Sequence, residues 1–165
     1  MALTVRPARA GDGEALARIH ADMLAHYAEV DPEAFRTADL TGFAAWVEGE
    51  FAAEDETGLD LVAELDGEVV ASLFATLVLP PEGAQWASAR DVEAVRVRIE
   101  YLATSAAHRR SGAGTALVQA AEQWGREHGA TVAETTTYRD GPLSVPFWTE
   151  RSGYERRSIN LRKRL

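Results

Sequence analysis

Ile99-Glu100-Tyr101-Leu102-Ala103-Thr104-Ser105-Ala106-Ala107-His108-Arg109-Arg110-Ser111-Gly112-Ala113-Gly114-Thr115 is the stretch of this chain from which the rest can be read. Ile99 to Thr104 suits a strand. From Ala113 onward, Ala116, Leu117, Ala120, Ala121 and Trp124 recur at helical spacing. Between strand and helix lies Arg109-Arg110-Ser111-Gly112-Ala113-Gly114, whose glycines let a backbone approach a ligand closely. The first turn of a helix leaves N–H groups without intrahelical acceptors, which suits an anion. Two adjacent arginines add positive charge. The pattern predicts a phosphate or pyrophosphate site. A P-loop does not fit, because no lysine follows the glycines and the only one in this half is Lys163. A Rossmann fingerprint would need a third glycine and would lie in the first βαβ unit.

Outward from this stretch the chain alternates strands and helices. Leu3 to Arg6 reads as a first strand. A helix opens at Asp12 or Gly13, with Leu16, Ile19, Met23, Leu24 and Tyr27 near one face, and Asp31-Pro32 ends it. A second helix is predicted over Leu40 to Phe51, with Phe43, Trp46, Val47 and Phe51 as its apolar set, and Glu54-Asp55-Glu56 reads as a solvated connection. Leu59 to Leu65 and Val69 to Leu79 are two strands joined through Asp66-Gly67, a hairpin signal, and Pro80-Pro81 stops the second. Residues 82–94 read as a longer loop, expected as a mobile element near a substrate. Arg96 to Thr104 is the strand before the glycine loop, and Gly129 can cap the helix that follows. Thr131 to Thr137 reads as a strand and Leu143 to Arg151 as a short helix. Tyr154 to Arg157 and Ser158 to Arg164 have strand character.

Length and composition bound the rest. A chain of 165 residues is one domain, spanning 1–165, with room for a core. No apolar run approaches the roughly 18 residues of a membrane span, and the N-terminus lacks the regions of a signal peptide. Cysteine is absent, which removes disulfides, thiolate metal sites and cysteine nucleophiles. A cytoplasmic location is the expectation. The net charge of −9 is unevenly spread: residues 1–80 carry 16 acidic and 4 basic side chains, residues 81–165 carry 10 and 13. That division suits either a solvated acidic surface or an acidic half facing a cationic substrate while the basic half holds an anion. No basic stripe interleaved with aromatics points to nucleic acid. His20, His26, His108 and His128 are scattered and form no metal motif.

The glycine loop in its strand–turn–helix setting resembles the acyl-CoA-binding signature of the GNAT superfamily of N-acyltransferases. The likeness rests on Arg109-x-x-Gly112-x-Gly114 with Ile99-Glu100-Tyr101-Leu102-Ala103 upstream. The ends match as well, from Val5-Arg6-Pro7-Ala8 to Phe147-Trp148 and Gly153-Tyr154, so nearly the whole chain is covered. The resemblance implies an α/β fold with a mixed, mostly antiparallel central sheet of six to seven strands flanked by about four helices. It implies acetyl-CoA as co-substrate, no metal, and direct acyl transfer to a primary amine in a ternary complex. The amides of Arg110, Ser111, Gly112, Ala113, Gly114 and Thr115 would cradle the pyrophosphate, aided by Arg109 and Arg110. Leu102, Ala103 and Thr104 would pair with the pantetheine arm, and an N–H near Leu102 would serve the oxyanion. The implied partners are a small-molecule amine, cationic on the charge argument, and a second copy in a homodimer, without nucleic acid or membrane.

Such a transfer requires an amine to lose a proton, a carbonyl oxygen to be stabilised and a thiolate to leave. Glu100 is the candidate base. It shares strand parity with Leu102 and Thr104, and an acidic side chain in an apolar strand carries a burial cost unless partnered. A structural ion pair with Arg96 or Arg98 is the competing role. The family's helix commonly ends Phe-Tyr-x-x-x-Gly-Phe, with the tyrosine placed to protonate sulfur. Here that slot holds Thr149, with Trp148 before it. Three readings stand: a helix shifted by one residue, another tyrosine such as Tyr101 or Tyr138, or departure assisted by water. The departure from the pattern also leaves open a non-catalytic acyl-CoA-binding sensor or regulatory domain.

Overall fold

The computed structural model describes residues 2–51 and 57–163. Strand β1, Leu3–Pro7, leads into helix α1, Gly13–Val30, and then α2, Phe43–Glu50. Strands β2, Gly58–Leu65, and β3, Glu68–Val78, form the hairpin. Its turn residues Asp66 and Gly67 have φ of 51° and 88°, the two left-handed positions that a two-residue hairpin turn requires. Two 3-10 turns, Ala84–Trp86 and Arg90–Glu93, occupy the long loop before β4, Arg96–Thr104. A further 3-10 turn at Ala106–His108 precedes α3, Ala113–Glu127, and β5, Val132–Thr135. The last helical segment is α4, Ser144–Pro146, which continues as a π-helical turn over Phe147–Arg151. The helix expected over Leu40 to Phe51 and the strand expected over Thr131 to Thr137 are thus shorter at both ends. Glu54, Asp55 and Glu56 lie outside the described residues.

The sheet has five strands in the order β1-β2-β3-β4-β5, antiparallel except for the β4–β5 pair. This corrects the expectation of six to seven strands. The two closing strands expected over Tyr154 to Arg157 and Ser158 to Arg164 do not form among the described residues. Alternating side chains make a strand only where a neighbouring edge accepts its hydrogen bonds. Here residues 154–163 run without a strand partner among the described residues.

Each face of the sheet carries a helical layer. On one, Leu117, Val118 and Ala121 of α3 pack with Leu61, Leu73, Ala75, Val97 and Ile99, and Trp148 closes the same cluster. Gly125 lets α3 lie close, since a Cβ there would sit 2.8 Å from the Val97 side chain. On the other face, Leu16 and Ile19 of α1 pack on Val62, Val69 and Ala103. The start of α1 is pinned to β1 by a partly buried ion cluster. Arg6 donates to both Asp12 carboxylate oxygens at 2.8 Å and to Glu64 at 2.8 Å. The hydrogen bonds from Arg6 hold the Asp12 carboxyl below its usual range, against the opposing pull of burial.

Two irregularities in the sheet open the site. Phe74 pairs with Tyr101 but Ala75 pairs with Ile99, so Glu100 is the extra residue of a β-bulge. The bulge reverses the alternation: Val97 and Ile99 face α3, whereas Tyr101 and Ala103 face α1 and Leu102 takes the α3 side. The β4–β5 pairing runs only from Arg96↔Val132 to Ile99↔Thr135. Beyond Ile99, β4 continues to Thr104 with that edge free of any strand. Among the described residues no helix is long and apolar enough to cross a membrane.

Candidate functional site

The chain leaves β4 at Thr104, makes a tight turn and enters α3. Arg110 and Gly112 adopt left-handed φ of 67° and 92°, the backbone geometry of a tightly curled loop. Ala116 N–H bonds to Gly112 O, and Ala113 N–H reaches Ser111 Oγ at 3.4 Å. The amides of Gly112, Gly114 and Thr115 find no protein acceptor among the described residues. The loop is tied to α1 by the Asp22 carboxylate, which accepts from Ala106 N–H at 2.6 Å. His108 turns back to Ser105, 3.0 Å from its Oγ, and lines neither of the two cavities described below.

A cleft of about 1070 Å³ runs from this loop between β4 and α4. Leu102, Ala103, Thr104, Arg109, Arg110, Ser111, Gly112, Ala113, Gly114 and Thr115 all line it. Neither the Arg109 nor the Arg110 guanidinium makes an ion pair among the described residues. Both are therefore available to an anion. Gly114 is the narrow point: a Cβ there would meet the Phe147 ring at 3.5 Å and Thr104 Oγ1 at 3.6 Å, in space that now belongs to the cleft. The donor set fits a pyrophosphate, and the free β4 edge fits an extended amide chain.

A second cavity of about 220 Å³ adjoins the first and shares Met23, Tyr27, Leu102, Ser144 and Trp148 with it. Glu100 and Tyr101 line it, as do Thr135, Thr136 and Thr137. The Glu100 side chain is exposed at the bulge and accepts from Thr76 Oγ1 at 3.3 Å. The competing ion pair is not made: Arg96 and Arg98 both bind Glu134, at 3.3 and 2.5 Å. Burial pushes the Tyr101 phenol up to about 12, and its hydroxyl lies 3.3 Å from His20 Nδ1. Burial, and then the nearby Arg109 charge, lower the His26 pKa and favour a neutral ring beside the cleft.

The other two sequence candidates face elsewhere. The Thr149 hydroxyl donates to Val145 O at 2.9 Å, and the residue lines neither cavity. The cause is the π-helical turn: Ser152 N–H bonds to Phe147 O, five residues back, which rotates Trp148 rather than Thr149 toward the cleft. Tyr138 packs edge-on against Phe35 and Tyr27, and its hydroxyl donates to the Asp31 carboxylate. That bond raises the phenol pKa and lowers that of Asp31. What the sequence reading did not name is which side chains of α1 line the site. Met23, His26 and Tyr27 line the large cleft, and Tyr27 is the one phenol common to both cavities. An apolar stripe at helical spacing looks like core, and nothing in the spacing marks its last turns as a cavity wall. No group of three or more acidic or histidine side chains among the described residues could hold a metal ion.

Comparison with known proteins bears directly on this geometry. The acetyltransferase (GNAT) family model matches residues 17–154. No functionally curated protein matches in sequence. Among solved structures, a tetramutant of the BH1408 protein of Bacillus halodurans superimposes with a TM-score of 0.81 at 19% identity, covering 98% of this chain and 99% of that one. A transcriptional regulator from Bacillus halodurans C-125 gives 0.72 at 23% identity, with 99% and 100% covered. An aminoglycoside acetyltransferase from an uncultured soil metagenomic sample, solved with sisomicin, gives 0.64 at 15% identity, with 99% and 96% covered.

Proposed function

The chain belongs to the GNAT acetyltransferase family, and from that premise we propose that it transfers an acetyl group from acetyl-CoA to the nitrogen of a small primary amine. The observation that carries this reading is the single cleft lined by the whole glycine loop and the free end of β4, with unpaired amides and two unpaired guanidinium groups. Bound acetyl-CoA would supply the acyl group as a thioester already activated for attack. Gly112, Gly114 and Thr115 amides, with Arg109 and Arg110, hold its pyrophosphate. Leu102, Ala103 and Thr104 orient its amide arm along the β4 edge.

The chemistry falls to residues at the junction of the two cavities. Glu100 takes the proton of the attacking amine, directly or through one water. The Leu102 amide donates to the carbonyl oxygen as the C–N bond forms and charge builds there. As the C–S bond breaks, the Tyr27 hydroxyl returns a proton to sulfur. Tyr138 and Thr149 are left with structural bonds. The acceptor is a compact amine with one cationic centre. The second cavity offers about 220 Å³, one carboxylate, and aromatic walls from Tyr27, Tyr101 and Trp148. A 150 Å³ apolar cavity already accommodates benzene, whereas pockets for drug-sized ligands run from about 300 Å³ upward.

Calorimetric titration with acetyl-CoA, followed by an amine panel read by thiol release, tests this reading; the absence of cysteine keeps the thiol signal clean. One-to-one binding with amine-dependent release is the expected result. Binding without release on any amine would instead support an acyl-CoA sensor. No binding by the folded protein would overturn the acyl-CoA reading.

A further inference from the structure

Three of the four histidines have a hydrogen-bond partner. His20 lies 3.3 Å from the Tyr101 hydroxyl, His108 3.0 Å from Ser105 Oγ, and His128 2.8 Å from Trp124 O. His26 has neither a hydrogen bond nor an ion pair among the described residues. Its one ring contact there is with Tyr27, at 5.7 Å and tilted by 53°. Yet His26 is half-buried and lines the large cleft from α1, while Arg109 and Arg110 line it from the loop. A polar ring held partly out of water, without a protein partner, is free to bond a ligand in that cleft.

The surrounding charges set the state of the ring. Burial, and then the Arg109 charge, oppose its protonation, and Glu29, three residues on along α1, counters them to a smaller extent. Asp22, one turn back on the same helix, has its carboxylate at Ala106 N–H, 2.6 Å away. The other charged side chains that line the cleft are Arg110 and, from the turn after α4, Glu150 and Arg151. Phosphate oxygens brought into this cleft reverse the sign, because the negative charges of a pyrophosphate outweigh one guanidinium. A neutral imidazole has a single N–H to donate, whereas the imidazolium has two and makes charge-assisted bonds.

We propose that His26 is a third cationic contact for the phosphates of acetyl-CoA and takes up a proton from solvent as they arrive. This rests on the acyl-CoA reading above. The proton goes to the bare ring nitrogen and returns to solvent when the ligand leaves. CoA keeps the same phosphates after transfer, so the proton stays through turnover and departs with the product. Affinity consequently rises as pH falls through the pKa of the bound ring, and levels off below that of the free ring, which is then already charged.

Calorimetric titration of the full chain with acetyl-CoA at about pH 6.5, where an imidazole titrates, tests this. Two phosphate-free buffers with unlike heats of ionisation give the number of protons taken up. His26→Gln and His26→Lys run alongside, each checked for folding by circular dichroism; both replacements are good helix formers. The cofactor's own phosphate monoester titrates near pH 6, and the variants subtract its contribution. The native chain is expected to take up roughly half a proton more than either variant. Its affinity should rise by about threefold more than that of His26→Gln from about pH 8 to about pH 6, and His26→Lys should bind tightly at both. Equal proton counts in the native chain and a folded variant overturn the proposal, as does a native affinity that follows pH no more steeply than that of His26→Gln. Should neither variant fold, the midpoint of the His26 ring resonance against pH decides; a midpoint that does not rise with acetyl-CoA overturns the proposal. No binding by the folded native chain overturns the acyl-CoA reading as well.

Discussion

Gly114→Ala separates binding from folding. Gly114 has an ordinary helical φ and a Cβ placed there meets its neighbours no closer than 3.5 Å, so alanine fits without strain. Replacing a helical glycine by alanine stabilises by about 0.5–1 kcal/mol. In a domain of this size that is a rise of roughly 1–4 °C in melting temperature. The same methyl group fills the gap between Thr104 and Phe147 and holds a ligand away from the Gly114 and Thr115 amides. Losing one charge-assisted hydrogen bond to an anion costs about 1.5–3 kcal/mol, or roughly tenfold to 150-fold in Kd. The expected protein melts slightly higher and binds acetyl-CoA much more weakly, as read by thermal unfolding and calorimetry. Affinity within twofold of native would refute the placement of the anion against this glycine. A melting point several degrees lower would refute the packing argument. Gly112 is the poorer probe, because its φ of 92° strains any side chain and would confound both readouts.

Glu100→Gln keeps the shape and the Thr76 contact but removes the base; turnover should fall by roughly tenfold or more, with acetyl-CoA affinity unchanged by calorimetry. Tyr27→Phe should lower kcat with little effect on acetyl-CoA affinity, while Tyr138→Phe should cost folding stability and leave kcat near native; the reverse pattern would move the proton donor. Asp12→Asn weakens the ion cluster with Arg6, which keeps Glu64 as partner, and should destabilise by about 1.5–3 kcal/mol in urea unfolding. The folded Asp12 pKa is depressed, so its contribution is complete above the unfolded value near 3.8 and is lost as pH falls through the lower folded value. The native chain should therefore lose stability below about pH 4, and Asp12→Asn should flatten that loss.

The loop was legible because its signals are local. Gly112, the two arginines and the helical spacing from Ala113 need no distant partner to be read, and Arg109 to Thr115 all line one cleft. Asp66-Gly67 was legible for the same reason. The bulge at Glu100 was not, since it exists only in the register of β4 against β3. Parity counted along β4 alone is broken there, although Glu100 and Leu102 still meet at one cavity. Counting back from Gly153 along the sequence could not show the π-helical turn over Phe147–Arg151, in which Trp148 and not Thr149 lines the cleft. The closing strands failed differently: their period is present in the sequence, but period says nothing about whether an edge is within reach.

Helix α1 has a consequence for how this protein can change. Within one and a half turns it presents Asp22 to the glycine loop, His26 to the cleft beside Arg109, and Met23 and Tyr27 to the junction of both cavities. These side chains ride on one rigid rod whose buried face is fixed by Leu16 and Ile19. A tilt of α1 that widened one cavity would also drag the anchor of the anion loop, so the two halves of the site cannot be retuned separately by moving it. Selection for a new acceptor would be channelled into the connections on either side, residues 31–42 and 136–143, which can be rebuilt without disturbing the loop. The same rod makes α1 itself a poor place for insertions.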